Sequence, residues 1–223
     1  MRFNTKLLHG NKMGDANTGA TLTPVYQSSA FYQPSAEQHE KLFHNKATGF
    51  SYTRINNPTI FAFEERMTTL EGGIASVACA SGMAAITNAL LNIVTCGQEI
   101  VASTSLYGGS IDVFHDFEAF GIKTVFVDIS DVNAVEAAIN ENTRVIFAET
   151  IGNPKLDVVD IEALAELAHQ HDLPLVMDNT VATAYLVKPI EKGADIVVNS
   201  TSKYINGNSN AISGVITESG RFK

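Results

Sequence analysis

Ala194-Asp-Ile-Val-Val-Asn-Ser-Thr-Ser-Lys203 is the stretch on which the fold turns. A run of β-branched residues closed abruptly by a polar cluster describes a buried strand that empties into a polar rim. Leu175-Val-Met-Asp-Asn179, upstream, is built the same way. Working outward, similar short runs occur at 74–78, 99–102, 123–127, 144–148 and 213–217. Helical patterns occur at 59–70, 83–94, 109–120, 131–140 and 161–169, with Asp131 and Asp160 suited to cap the last two. The strands are continuous Val, Ile, Ala and Phe rather than alternating polar and apolar. Strands of that kind are buried on both faces, so the expected class is α/β: a mostly parallel sheet with helices on each side. The first 58 residues are different, rich in Asn, Gln, Ser, Thr and Gly with little periodicity. They read as an extended arm, and a structureless segment of that length needs something to pack on, such as a neighbouring subunit.

Bulk properties narrow the function. A net charge of −9 argues against nucleic acid or an anionic membrane as partner. No apolar run approaches the ~18 residues of a spanning helix, and the first ten residues lack a signal-peptide core, so the expected compartment is the cytoplasm. The two cysteines, Cys79 and Cys96, have no metal-ligand spacing, and Cys79 reads as a small buried residue. The six histidines are scattered and include no H-E-x-x-H pair, so no metal site is expected.

In open parallel sheets ligands bind at the carboxyl ends of the strands. Here those ends carry Ala80-Ser-Gly-Met83, Ser105-Leu-Tyr-Gly-Gly109, Glu149-Thr-Ile-Gly-Asn-Pro154, Asp178-Asn-Thr180 and Ser200-Thr-Ser-Lys203. A lysine flanked by hydroxyls at one strand end, with an aspartate at another, suits pyridoxal phosphate: Lys203 as Schiff-base lysine and Asp178 as partner of the pyridinium nitrogen. The alternatives are a surface lysine and a carboxylate that caps a turn. Ser81, Gly82 and Met83 open a helix, where free amides and the positive dipole end can hold a phosphate; a plain N-cap is the alternative. Ser200 and Ser202 would lie on one face of an extended segment and reach the same phosphate. Tyr107 is placed either to stack on a planar ring or to be a buried aromatic. Asn153 either holds a ring oxygen or belongs to a turn.

Beyond those ends, Ser51-Tyr-Thr-Arg-Ile-Asn-Asn-Pro-Thr59, Leu70-Glu-Gly-Gly73, Leu106-Tyr-Gly-Gly109 and Ser200-Thr-Ser-Lys-Tyr204 complete a set of motifs spanning nearly the whole chain. With them the chain resembles the Cys/Met-metabolism family of pyridoxal phosphate enzymes. The resemblance implies the large domain of fold type I, with a seven-stranded sheet containing one antiparallel strand. It implies that Lys203 carries the cofactor and shuttles protons, and that Asp178 faces the ring nitrogen. It further implies that Tyr107 stacks and takes an acid/base role, and that Gly82, Met83, Ser200 and Ser202 hold the phosphate. Tyr52 and Arg54 would reach the phosphate of a neighbouring subunit, in a homodimer at least and a tetramer as the expected assembly.

Asn153-Pro-Lys155, Asp178-Asn-Thr-Val-Ala-Thr183 and 42–48 most resemble family members acting on O-acetylhomoserine. There Lys203 would remove the α-proton, acetate would leave the γ-carbon, and sulfide or methanethiol would add, giving homocysteine or methionine. A neutral lysine amine would be favoured by desolvation and nearby positive charge. Asn208 stands where many members carry histidine, and Ser202 where threonine is usual. By the same resemblance the chain stops before a smaller C-terminal domain that carries the arginine for the substrate carboxylate. Methionine- or cystathionine-type γ-elimination, and a non-catalytic fragment, are the other expectations.

Overall fold

The computed structural model describes residues 2–10, 15 and 18–222. The chain divides into two units, Met1–Arg66 and Met67–Lys223. The first contains helices α1 (Phe3–His9) and α2 (Ala36–Phe43) and most of α3 (Pro58–Glu71). Neither α1 nor α2 buries a residue. Ser35 caps α2 by accepting from the Gln38 amide. Two strands of loop pair through Phe31 N–H to the Ser51 carbonyl (2.9 Å) and Thr53 N–H to the Ser29 carbonyl (2.9 Å). Phe31, Phe50 and Phe61 stack in sequence alongside.

The second unit is built on a seven-stranded sheet in the order β1-β7-β6-β5-β4-β2-β3. The strands are β1 (Ala75–Cys79), β2 (Glu99–Ser103), β3 (Lys123–Val127), β4 (Thr143–Glu149), β5 (Leu175–Asp178), β6 (Ile196–Asn199) and β7 (Gly214–Glu218). Only β7 runs against its neighbours, pairing antiparallel with both β1 and β6. The helices are α4 (Gly82–Leu91), α5 (Gly108–Phe117), α6 (Val132–Ala138), α7 (Ile161–Gln170) and the short α8 (Thr183–Leu186). Asp131 and Asp160 cap α6 and α7 as their positions predict.

Why the strands read as unbroken apolar runs is visible in the two cores. Ile100, Ala102, Val145, Phe147, Val176 and Val198 point to one face, under Ile86, Leu90, Phe114 and Phe117 of α4 and α5. Val101, Ile146, Ala148, Leu175 and Met177 point to the other, under Val135 of α6 and Leu164 and Ala168 of α7. Successive strand side chains alternate faces, and both faces are covered. At roughly 25 cal/mol per Å2 of apolar surface, this two-sided burial is the main force holding the sheet. Phe114 meets Phe147 edge to face at 5.2 Å. Cys79 is half-buried and Cys96 exposed, so the expected full burial of Cys79 is not found: the edge strand β1 is uncovered on one side. Among the described residues no helix is long and apolar enough to cross a membrane, and no His, Cys, Asp and Glu group has the makings of a metal site.

Candidate functional site

The parallel strands deliver the ends of β1, β2, β4, β5 and β6 to one edge of the sheet. The centre of that edge is Asp178, the last residue of β5, which is nearly inaccessible. Burial pushes its carboxyl above the usual range, and hydrogen bonds from Thr180 only partly offset this. The Thr180 amide donates to Asp178 Oδ1 (2.8 Å), and Thr180 Oγ1 accepts from the Ser200 amide (2.7 Å). Thr180 therefore ties the end of β5 to the residue that follows β6.

Ser200 lies against the N-terminus of α4. A Cβ on Gly82 would come within 2.8 Å of Ser200 Oγ, so only glycine allows this approach. Ser81 is the N-cap: its hydroxyl accepts from the Ala84 amide (3.1 Å) and its carbonyl from the Ala85 amide (3.0 Å). Among the described residues the amides of Gly82 and Met83 have no partner, which leaves two donors at the positive end of the helix. Gly214, which opens β7, packs beneath: a Cβ there would collide with the Ser81 carbonyl and come 2.9 Å from the Gly82 nitrogen.

The segment after β6 is not the extended strand that the sequence suggests. The Lys203 amide bonds the Ser200 carbonyl (3.1 Å) and the Asn206 amide bonds the Thr201 carbonyl (3.0 Å), closing consecutive turns. Ser202 accounts for this: its hydroxyl donates to the Ser213 carbonyl (3.1 Å) and accepts from the Ser213 amide (2.9 Å). Ser200 and Ser202 thus do not share one strand face, and the Ser202 hydroxyl is engaged inward. Lys203 is exposed, so these residues do not by themselves supply the desolvation expected around its amine.

Across the rim, Tyr107 is the N-cap residue of α5 and half-exposed, with its ring against Gly109, where a Cβ would lie 2.6 Å from Tyr107 Cε1. Asn153 is exposed on the loop after β4. Tyr52 and Arg54 belong to the first unit, where the Arg54 guanidinium sits 5.5 Å from the centre of the Tyr52 ring. Three side chains without an assigned role also shape this edge. Glu149, the last residue of β4, accepts from the Tyr107 amide (2.7 Å) and the Asn153 amide (3.2 Å). Glu71 accepts from Asn199 Nδ2 (2.8 Å) and Asn179 Nδ2 (3.4 Å). Thr180 is the third. Their signal in the sequence is modest: a carboxylate or hydroxyl at the end of an apolar run, with no indication of its partner.

A ring with a protonatable nitrogen at one end and a phosphate at the other fits this arrangement. Asp178 is a buried carboxylate in want of a positive partner, and the two free amides at the start of α4, packed closely against Ser200, suit a phosphate.

A family model described as Cys/Met metabolism PLP-dependent enzyme matches residues 4–223. The chain is 45% identical to an O-acetyl-L-homoserine sulfhydrylase of Leptospira meyeri, over 98% of this chain and 50% of that protein. It is 44% identical to an L-methionine gamma-lyase of Fusobacterium nucleatum, over 89% of this chain and 51% of that one. A Campylobacter jejuni structure described as an O-acetylhomoserine (thiol)-lyase, carrying N'-pyridoxyl-lysine-5'-monophosphate, superposes with a TM-score of 0.93 at 34% identity, over 98% of this chain and 54% of that one. The chain spans about half the length of the curated relatives it matches.

Proposed function

The chain belongs to the Cys/Met metabolism family of pyridoxal phosphate-dependent enzymes, and on that premise we propose that it is the cofactor-binding part of an enzyme that exchanges the acetate of O-acetylhomoserine for sulfide or methanethiol, giving homocysteine or methionine. Pyridoxal phosphate, when bound, supplies the electron sink for the pair left behind as the α-proton departs. Asp178 holds positive charge at the ring nitrogen, and the low dielectric around it strengthens that pairing. The Gly82 and Met83 amides and Ser200 hold the phosphate, with Ser81 and Ser202 shaping the loops on either side. Lys203 Nζ holds the cofactor and moves the α-proton. Tyr107 covers one face of the ring, and Asn153 binds a ring oxygen. Tyr52 and Arg54 reach the phosphate of a second subunit, since a guanidinium fork matches phosphate oxygens; the assembly is a homo-oligomer, a dimer at least.

The observation that carries the cofactor assignment is the buried carboxylate of Asp178, without an ion-pair partner among the described residues and linked through Thr180 and Ser200 to the α4 N-terminus. The choice of reaction rests on the sulfhydrylases among the most similar relatives. A second reading, γ-elimination, is favoured by methionine gamma-lyases at comparable identity. Incubating the purified protein and cofactor with O-acetylhomoserine separates the two. Homocysteine and acetate formed only when sulfide is added support replacement; 2-oxobutyrate and ammonia without sulfide support elimination. Borohydride reduction followed by peptide mapping tests Lys203, and label on any other residue refutes its assignment.

A further inference from the structure

Glu149 is almost fully buried at the end of β4 and spends both carboxylate oxygens on main-chain amides. Oε1 takes the amide of Tyr107, on the loop after β2. Oε2 takes the amide of Asn153, on the loop after β4. The two loops also touch directly: a Cβ on Gly152 would come 2.8 Å from the Ser105 carbonyl oxygen. Within the second loop, the Leu156 amide bonds the Gly152 carbonyl (2.8 Å) and the Gly152 amide bonds the Asp157 carbonyl (2.9 Å). In the sheet, Glu149 is the register partner of Asp178. One carboxylate therefore joins the loops after β2 and β4, on a residue whose backbone lies beside Asp178 in the sheet.

We propose that Glu149 is a positioning residue, which fixes Tyr107 and Asn153 relative to each other and to Asp178 and so sets both walls of the ring site as one block. The inference rests on the cofactor reading above. Neither oxygen is left to touch substrate, so Glu149 acts through the residues it holds. An ionised carboxylate accepts from both amides, whereas the neutral acid turns one oxygen into a donor and frees one loop. Burial pushes Glu149 up to about 7, and the like charge of Asp178 adds to this. Asp128 and Asp157 carry charge nearby, with Lys155 acting on Asp128; with Ser103 and Ser105 the two aspartates line a small cavity of about 30 Å3 against Glu149, room for one water. The clamp is then closed above neutral pH and loosened below it.

The test follows the backbone amides of Tyr107 and Asn153 by nitrogen-15 NMR in the cofactor-free protein as pH is raised through neutrality. Both should move along one curve with a shared midpoint near 7, and Glu149→Gln should abolish it. Separate midpoints, or curves that persist in the variant, overturn the proposal. If the variant does not fold, the wild-type curves decide alone. Glu149→Gln should also weaken cofactor binding about tenfold, the loss of one charge-assisted hydrogen bond; equal affinity overturns the proposal. A wild-type protein that binds no cofactor refutes the cofactor reading instead, and the amide titration still decides for Glu149.

Discussion

At the amino-terminal edge of the sheet the buried carboxylate of Asp195 meets basic side chains; at the carboxyl-terminal edge, among the described residues, the buried carboxylates of Asp178, Glu149 and Glu71 form no ion pair. Asp195 meets His169 Nε2 at 2.9 Å and Arg221 at 3.3 Å, and accepts from the Leu175 amide at 2.8 Å. Among the described residues, none of the other three is in ion-pair contact with a cation; amides bond all three, Thr180 adds its side chain at Asp178, and Lys188 reaches Glu71 only through space. Burial raises all three, Glu71 and Glu149 to about 7. An isolated carboxylate costs free energy to bury, so a fold selected for stability alone would not keep three of them on one edge. One edge pairs its charge with basic side chains that tie the sheet to its neighbours, while the other holds three carboxylates whose burial raises their pKa.

The comparison breaks most clearly at Asp178. On the role proposed for Asp178, Asp178→Asn should lower turnover by on the order of a thousandfold, since the ring nitrogen would lose its charged partner. The same change should stabilise the cofactor-free protein by about 1 kcal/mol in urea unfolding, because an uncompensated charge is gone. A loss of stability would erase the contrast. The mirror substitution, Asp195→Ala, should cost about 2–3 kcal/mol by leaving His169, Arg221 and the Leu175 amide without their acceptor. Cofactor affinity should change by less than about threefold; a larger loss would mean that the two edges are coupled.

Glu71 sharpens the comparison through pH. Its folded value, about 7, lies above the ordinary 4.5, so the folded state binds the proton more tightly than the unfolded one. The stability this contributes is complete below about 4.5 and is lost as pH rises through 7. Relative to Glu71→Gln, wild-type stability should therefore fall across that window by about 1–3 kcal/mol, measured by denaturant melts of the cofactor-free protein. A flat difference would sink the idea that burial governs Glu71. The smallest effect belongs to Ser202→Ala, about 1 kcal/mol for the lost contacts to Ser213. If Ser202 serves the loop, cofactor affinity should follow that loss and not exceed it.

The sheet was legible in the sequence because its strands are buried on both faces, which leaves unbroken runs such as Val145 to Ala148 with no polar interruption. The caps Asp131 and Asp160 were legible for a similar reason: an N-cap and the amides it serves lie within three residues. What escaped was non-local. Glu149 stands in a quoted motif, but its chief partner is an amide 42 residues away, and no spacing announces that bond. Glu71 reaches residues more than a hundred positions ahead. The turn after β6 escaped because Ser202 reads as a phosphate-binding hydroxyl until Ser213 is seen beside it. Helices α1 and α2 are only seven and eight residues long, too short for a helical period to stand out in a polar segment.

The reversed strand β7 has a consequence for how the ligand notch came to exist. Where every strand runs one way, each delivers a carboxyl end and a loop to the upper edge. β7 brings its amino end instead, and begins there with Gly214, which has no side chain to raise. β1 and β6 are therefore held two strand spacings apart, about 9–10 Å, with a floor of bare backbone between them. The start of α4 settles onto that floor, and a change of strand direction is what lets it come so low: a methyl group at position 214 would collide with the Ser81 carbonyl and displace the helix end that offers the Gly82 and Met83 amides.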